Sequence, residues 1–393
     1  MAIKIINTSI ILLFWIVITV ATEFNEVEEY RKVGKVSQDY GIKLMRSLVE
    51  NKDENPSFDT LNMLLSTSAL LAGCSLSDRK VLFKANHFET AYNEADEALD
   101  AVLKLNFHGL HTSKTIFVVS AKFDVTYPFF SFLAKYPYAY LKIGVDLEND
   151  TKEETAELLA EIANITADKA ILEKFGNSLK LGKAEKLIML HGNHFERKFK
   201  LAFNKSKTVN GTFLNFGTQE TTVPFMKMKS EFRHYADDYF SALEIPFDNG
   251  DKLIIFLPNK NDGYKYIMNN MTQATIHMTL QKMKMKSIHI SIPKFKIISE
   301  KRMDSFEKDS DHKWITSSKA SFEGISGGPG LYFSNVVIVT SFELNENGLR
   351  YTSISTSGSE RSNEAEFDAN HPFIYFVLTN FSIALNCGVI NKL

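Results

Sequence analysis

A long polar segment near the C-terminus is the feature that most constrains this chain. Residues 348–366 read GLRYTSISTSGSERSNEAE, without proline and with few apolar side chains, between strand-like runs at 336–344 and Phe373–Leu378. An unstructured connection longer than about 12–15 residues is uncommon in a compact domain and is usually functional or disordered. Its Ser, Thr, Asn and Glu content suits an exposed loop, where proteolytic cleavage concentrates. We therefore predict a long, cleavable loop between two anchored strands.

Length and charge leave room for a large core and exclude some partners. The chain has 393 residues, of which 44% are hydrophobic, and a formal net charge of -2. By length alone, about 150 residues per domain would give two or three domains, but no linker, internal repeat or low-complexity block interrupts the sequence. A charge this close to zero gives no general attraction to nucleic acid or to acidic membrane surfaces.

The N-terminus has the pattern of a secretory signal peptide. Lys4 gives a positive start, residues 10–20 are apolar, and Thr19-Val20-Ala21 offers small residues for cleavage. The apolar run is shorter than the ~20 residues that a membrane-spanning helix needs. We predict a signal peptide at residues 1–21 and a secreted, extracellular protein; an uncleaved membrane anchor is the alternative.

Sequons and cysteines are consistent with secretion. Tripeptides of the form N-x-S/T predict N-glycosylation at some of Asn149, Asn164, Asn204, Asn210, Asn270 and Asn380. The two cysteines, Cys74 and Cys387, are too few for a disulfide scaffold. We expect two buried free thiols rather than a bridge.

Hydrophobic periodicity indicates helices early in the chain and strands later. A helical stripe of apolar residues runs through 37–50 and 155–165, and residues 62–72 are apolar enough for a buried helix. Strand-like runs follow at 253–257, 287–292, 336–341 and Phe373–Leu378. Helices first and strands afterwards predict an α+β fold rather than repeated βαβ units.

Some motifs suggest catalysis or metal binding, and none is complete. Gly324-Ile325-Ser326-Gly327-Gly328 matches the G-x-S-x-G elbow of α/β-hydrolases, but glycines follow the serine where a helix should begin. Downstream, only Asp368 and His371 follow as an acid–histidine pair. The histidine pairs His108/His111 and His191/His194 lack an HExxH, CxxC or acidic partner motif. A hydrolase is thus the least favoured hypothesis, and we expect no enzyme, metal or cofactor.

Alternating lysines mark one further surface. Lys282-Met283-Lys284-Met285-Lys286 predicts three lysines on one face of a strand. A solvated sheet edge is the simpler interpretation, and a glycosaminoglycan site is the alternative.

A series of short motifs runs through the second half of the chain in a fixed order. In order, they are Val223-Pro224-Phe225-Met226, Phe232-x-x-Tyr235, LEIPF at 243–247, LIIFLP at 253–258, ISIPKFKI at 290–297, SFEGIS at 321–326, Glu346-Asn347-Gly348 and FDANHPF at 367–373. Weaker similarities extend to residues 59–74 and to Phe199-x-x-x-Phe203. Together these motifs resemble the serpin family, and the resemblance covers nearly all of residues 22–393. It implies one monomeric domain of three β-sheets with eight or nine helices.

The resemblance also implies a function for the loop. In serpins a serine protease cleaves such a loop, the loop inserts as a new strand into the central sheet, and the acylated enzyme is trapped. By the family's spacing, the reactive bond is Arg361-Ser362 counted from Phe367, or Ser362-Asn363 counted from Gly348. We prefer Arg361-Ser362, because arginine suits the acidic specificity pocket of trypsin-like proteases. A merely solvating Arg361 is the alternative.

The hinge of the loop departs from the family pattern. Inhibitory serpins usually carry small residues in the hinge, which here comprises Gly348, Leu349, Arg350 and Tyr351. Strand alternation places Leu349 and Tyr351 on the face that must be buried, where overpacking costs about 1–3 kcal/mol. Slow insertion would let the protease escape, and the loop would then be cleaved as a substrate.

The shutter and breach, through which the sheet opens in serpins, also depart from the pattern. By alignment, Asp59 and Asn62 stand for two serines, His191 for an asparagine, Ile338 for a histidine and Phe199 for the upper tryptophan. The change is either a rewired hydrogen-bond network, with Asp59 and His191 as a pair, or drift after loss of inhibition. Two hypotheses therefore remain besides the hydrolase: an inhibitor of a trypsin-like serine protease, and a non-inhibitory binding or carrier protein.

Overall fold

Helices dominate the first part of the chain and strands the rest. The computed structural model describes residues 26–47, 55–105, 112–136, 139–147, 173, 186–194, 197–302, 317–349 and 365–393. Helix α1 occupies 26–47. Helices α2 to α8 are Thr60–Leu71, Leu76–Ala85, Ala95–Lys104, Tyr127–Leu133, Tyr264–Asn270, Gln273–Lys282 and Glu323–Ser326. The helix expected at 155–165 lies outside the described residues.

Sixteen strands are described, β1 to β16 in chain order. They are Ser57–Phe58, Thr112–Ser120, Tyr140–Val145, Leu187–His194, Arg197–Lys198, Val209–Asn215, Gln219–Ala236, Phe240–Pro246, Lys252–Pro258, Lys284–Pro293, Phe295–Arg302, Phe333–Asn345, Gly348–Leu349, Ala365–Asp368, Phe373–Leu378 and Ala384–Ile390.

The strands form two hydrogen-bonded sheets within the described ranges. One has the order β1-β16-β15-β9-β8-β7-β10-β14, with β6 also on β7; the other has the order β3-β2-β4-β12-β13-β5, with β11 on β12. Strand β7 is long enough to serve two layers, because Phe225 pairs with Val209 of β6 while Arg233 pairs with Glu244 of β8. Two of the three predicted sheets therefore join through one continuous strand. The α+β class is confirmed.

Helix α2 connects the two sheets from inside the core. All twelve of its residues are buried, as expected for a helix that is apolar all round. Three of its hydroxyls are satisfied within the helix, including Ser66, which donates to the carbonyl of Asn62 at 2.7 Å, and Ser68, which donates to that of Leu64 at 2.6 Å. Such bonds allow polar residues inside a buried helix.

The cysteines are buried and free, as expected. Burial raises the pKa of both thiols, Cys74 and Cys387, to about 12. The neutral thiol is a poor nucleophile, so both side chains act as core residues.

The predicted face of three lysines on one strand is wrong in one residue. Lys282 is the last residue of α7, so only Lys284 and Lys286 of the lysine series lie on β10, both exposed.

The hydrolase motif does not form a catalytic arrangement. The hydroxyl of Ser326 donates to the Gly328 carbonyl at 2.7 Å, and His371 contacts Asn370 and Pro258. No serine–histidine contact of the hydrolase kind forms there.

Candidate functional site at the central sheet and the loop base

The central feature of the second sheet is the contact between β4 and β12, which we call the seam. The two strands run parallel, with Leu187–Asn193 paired along Phe333–Thr340. His191 lies directly opposite Ile338. The seam is thus closed, and no described strand lies between β4 and β12 over this length.

At the end of the seam the chain turns back to form a hairpin. Asn345 pairs with Gly348 and Leu344 with Leu349, so β13 runs antiparallel to β12. Gly348 has φ +128, and a Cβ there would lie 2.3 Å from the Arg197 carbonyl oxygen. Only glycine fits this backbone conformation and this approach.

Strand β5 pairs with the other edge of β13. Gly348 pairs with Lys198 and Leu349 with Arg197. The Phe199 N–H donates to the Asn347 carbonyl at 2.8 Å. The first two residues of the loop therefore already lie as a short strand between β12 and β5.

An ion pair and an aromatic stack hold β5 in place. Arg197 Nε donates to Asp251 Oδ2 at 2.7 Å, and both side chains are nearly buried. The Phe199 ring stacks on Phe247 at 5.4 Å, with an interplanar angle of 3°. The breach candidate Phe199 thus supports the strand against which the hinge pairs.

Glu346, in the hairpin turn, is anchored by two side chains. Its carboxylate accepts from Lys294 Nζ at 3.0 Å and from Thr208 Oγ1 at 2.9 Å. Burial alone would raise the pKa of Glu346, but its own backbone N–H, Lys294 and Thr208 outweigh that cost and lower it. The ionised form is therefore favoured by the fold.

We expect Glu346→Gln to reduce the free energy of unfolding by about 1–2 kcal/mol at pH 7, since hydrogen bonds to a charged group are lost. A lowered pKa gives stability that is present above the ordinary value of 4.5 and is lost as the pH falls through the folded value. The difference between wild type and variant should therefore shrink on acidification below pH 4.5. Urea unfolding at a series of pH values measures it; a pH-independent difference would contradict the assignment.

A buried network surrounds His191 on the β4 side of the seam. His191 Nε2 lies 3.1 Å from Asp59 Oδ2, while Nδ1 lies 3.0 Å from Thr115 Oγ1 and 3.2 Å from Asn62 Nδ2. Asp59 also accepts from the Asn62 N–H, which caps α2. Asp59 and His191 therefore meet, and Asn62 belongs to the same cluster.

The β12 side of the seam contributes little polar chemistry at this level. Ile338, opposite His191, is apolar and 1% exposed. Thr340, two residues further, is fully buried, and its Oγ1 has no hydrogen-bond partner. The described side-chain hydrogen bonds of His191 all lead to α2, its cap Asp59, and β2.

Several predicted site residues lie outside the described part of the chain. These are Arg350, Tyr351, Arg361, Ser362, Asn149 and Asn164. Leu349 is described by its backbone alone. Among the other sequons, Asn210, Asn270 and Asn380 are exposed and Asn204 is half-buried. The sequence did not single out Arg197, Asp251 or Thr115, because their contacts join distant segments.

Neither a metal cluster nor a membrane-spanning helix emerges from the described ranges. No group of three or more His, Cys, Asp and Glu side chains there could hold an ion. No helix in those ranges is long and apolar enough to cross a membrane.

Comparison with known proteins agrees with this architecture. The sequence model for Serpin (serine protease inhibitor) matches residues 35–392. The chain belongs to the serpin family. Iripin-3 of Ixodes ricinus is 24% identical to this serpin over 377 residues, covering 93% of this chain and 96% of the relative.

Solved structures of other serpins share the fold. Human thyroxine-binding globulin complexed with thyroxine superposes with a TM-score of 0.80 at 17% identity, covering 93% of this serpin and 99% of that chain. Native protease nexin-1 with heparin gives 0.77 at 18% identity, covering 93% and 100%. The family description is that of inhibitors rather than enzymes.

Proposed function

We propose that this serpin is a secreted inhibitor of a trypsin-like serine protease, cleaved at Arg361-Ser362 and acting by loop insertion. One observation carries the proposal: the closed seam ends where the hinge already begins a strand between β12 and β5. A strand that continued from Leu349 would enter between β12 and β4. Inserting it adds a row of backbone hydrogen bonds, which makes the cleaved form more stable.

Secretion belongs to the same proposal. A signal peptide at 1–21 would deliver a single domain, 22–393, to the extracellular space, where its target proteases act. Exposed Asn210, Asn270 and Asn380 would be accessible to glycosylation. Exposed Lys284 and Lys286 offer a small basic surface for a glycosaminoglycan.

Incubation with trypsin tests the inhibitory mechanism. We expect a protease–serpin adduct that survives a denaturing gel, because the acyl bond is trapped before hydrolysis. Mass spectrometry of the released C-terminal fragment identifies whether cleavage follows Arg361 or Ser362. A cleaved band with full recovery of trypsin activity would contradict inhibition.

That last outcome would favour the alternative, a non-inhibitory serpin that binds or carries a ligand. Thyroxine, with which the structural neighbour thyroxine-binding globulin is complexed, gives a first candidate to test by equilibrium binding. The two functions separate because only the inhibitor consumes active protease.

A further inference from the structure

Two stacked tyrosines, Tyr239 and Tyr266, lie on the surface and form what we call the tyrosine platform. Their ring centroids are 5.6 Å apart, with an interplanar angle of 21°. The stack nevertheless leaves the two residues 58% and 55% exposed. A single exposed apolar side chain is ordinary, whereas two that make one continuous surface are typical of an interaction site.

The backbone under the tyrosine platform is fixed on both sides. Asp237 Oδ1 accepts from the Tyr239 N–H at 2.8 Å, and the Tyr239 carbonyl accepts from the Asn259 N–H at 2.9 Å. Tyr266 lies on α6, which buried Met268 anchors in the core. A surface that is already ordered loses little conformational entropy when something packs on it.

The sequon residue Asn270 lies one helical turn after Tyr266, at the end of α6, and both residues are exposed. Asn270 Nδ2 donates to the Tyr266 carbonyl oxygen at 2.8 Å. Because helical side chains lean toward the N-terminus, this nitrogen points back toward the turn that carries the Tyr266 ring. An asparagine amide has two N–H donors, so one can be replaced by a sugar while the other keeps this hydrogen bond.

We propose that the tyrosine platform is the packing surface for the first sugars of an N-glycan on Asn270. One face of such a sugar ring is lined by C–H groups, which pack against an aromatic ring while the hydroxyls stay in water. Side chains four residues apart on a helix have Cβ atoms only about 5–6 Å apart, so the first sugar starts beside the Tyr266 ring. The inference rests on the secretion part of the proposed function, since the secretory pathway supplies the sugar.

The attachment step fixes when the sugar reaches the platform. Asn270 Nδ2 loses one proton to solvent and bonds to the anomeric carbon of the sugar. The bond from that carbon to the diphosphate of a lipid-linked oligosaccharide donor breaks, and the diphosphate leaves with the electron pair. In the folded serpin Met271 is 1% exposed and Thr272 Oγ1 caps α7. Transfer therefore precedes folding, and the sugar meets the tyrosines as α6 forms.

Two other exposed sequons of the described ranges are arranged differently. Asn380 precedes an exposed ring, Phe381, but a Cβ on Gly250 would lie 2.6 Å from Asn380 Nδ2, so this nitrogen is directed at Gly250. Asn210 lies on β6 opposite Pro224, and its neighbours in the sequence are a valine and a glycine. Asn210 is therefore the control site for a glycan that does not meet an aromatic ring.

The rate of sugar removal tests the packing. The full chain is secreted from cells that make only high-mannose glycans and is treated, folded, with an endoglycosidase that cuts between the first two sugars. Glycopeptide mass spectrometry over time gives the removal rate at each sequon. In Tyr266→Leu the rate at Asn270 should rise about 2-fold to 10-fold, the range that one aromatic contact provides, and the rate at Asn210 should stay unchanged.

Two variants separate the ring from other effects of substitution. Tyr266→Phe keeps the ring and should keep the slow removal at Asn270. Tyr127→Leu is the matched control, because Tyr127 is an 80% exposed tyrosine at the start of α5; it should leave the rate at Asn270 unchanged. A rise at Asn270 and Asn210 alike in Tyr266→Leu would overturn the packing.

A spectroscopic readout is independent of enzyme access. Protons that lie over an aromatic ring resonate upfield, so the N-acetyl methyl signal of the first sugar on Asn270 should be shifted upfield of the same signal on Asn210. Tyr266→Leu should abolish the difference, and Tyr266→Phe should retain it. Identical methyl signals at the two sites of the wild-type serpin would overturn the proposal.

The outcomes for this inference and for the proposed function are distinguishable. A glycan at Asn210 with an unmodified Asn270 would overturn the platform and still support secretion. Absence of sugar from every sequon would contradict secretion and the platform together. A platform confirmed by both readouts, in a serpin that fails to trap trypsin, would refute inhibition alone.

Discussion

Arg361→Ala should reduce the rate of adduct formation with trypsin by about 30-fold to 4,000-fold. Removing one partner of a desolvated, hydrogen-bonded charge pair costs about 2–5 kcal/mol, and about 1.4 kcal/mol corresponds to a factor of ten. The specificity pocket of trypsin supplies the carboxylate that would lose its partner. The second-order rate constant of trypsin inhibition measures the effect.

Two further variants locate the reactive bond. Arg361→Lys should retain most of the rate, because lysine also carries a positive charge into the pocket. Ser362→Ala keeps the arginine and should change the rate little. If Ser362→Ala were the damaging variant and Arg361→Ala were not, the reactive bond would be Ser362-Asn363.

Asp59→Ala should lower the free energy of unfolding by about 2–4 kcal/mol. Asp59 and His191 are both buried and hydrogen-bonded at 3.1 Å, and removing one partner leaves a buried polar group of the other unsatisfied, at a cost of about 1–3 kcal/mol. The substitution also removes the cap of α2, which contributes about 1 kcal/mol. Urea unfolding of wild type and variant gives the difference.

Asp59→Asn is the informative companion, because it keeps the size and the cap but removes the charge. It should fall between wild type and Asp59→Ala. Asp100→Ala provides the matched control: Asp100 pairs with Lys104 on the surface of α4, and exposed pairs contribute about 0.2–1 kcal/mol. A loss at Asp59 no larger than at Asp100 would show that the buried pair contributes little.

Much of the fold follows from local patterns. The buried run at 62–72 became Thr60–Leu71, and the run at Phe373–Leu378 is a strand with those bounds. The start of α1 was missed because residues 26–36 are rich in charge and include Gly34. A Cβ at Gly34 would lie 2.7 Å from the Phe381 carbonyl oxygen. A close tertiary contact thus outweighs the poor helix propensity of glycine.

The site was less accessible to sequence reasoning. Family resemblance named Asp59 and His191, but their contact depends on α2 lying against β4. The pair Arg197–Asp251 carries no sequence signal, since its spacing belongs to no motif. Lys282 was misplaced because the alternating pattern crosses the C-terminal end of α7, a helix that begins at the capping box of Thr272 and continues through Lys282.

The side-chain hydrogen bonds of His191 lie on the β4 side of the seam alone, and this separates the rigidity of the sheet from its ability to rearrange. Parting β4 from β12 at this level breaks backbone hydrogen bonds and the contact with Ile338, while the existing bonds of His191 to α2 and β2 move with β4. In the proposed insertion those bonds would stabilise the sheet equally before and after another strand enters, and they would cancel from the difference in stability between the two forms. Rigidity and readiness to rearrange are therefore set by different residues, and substitutions can alter either one independently.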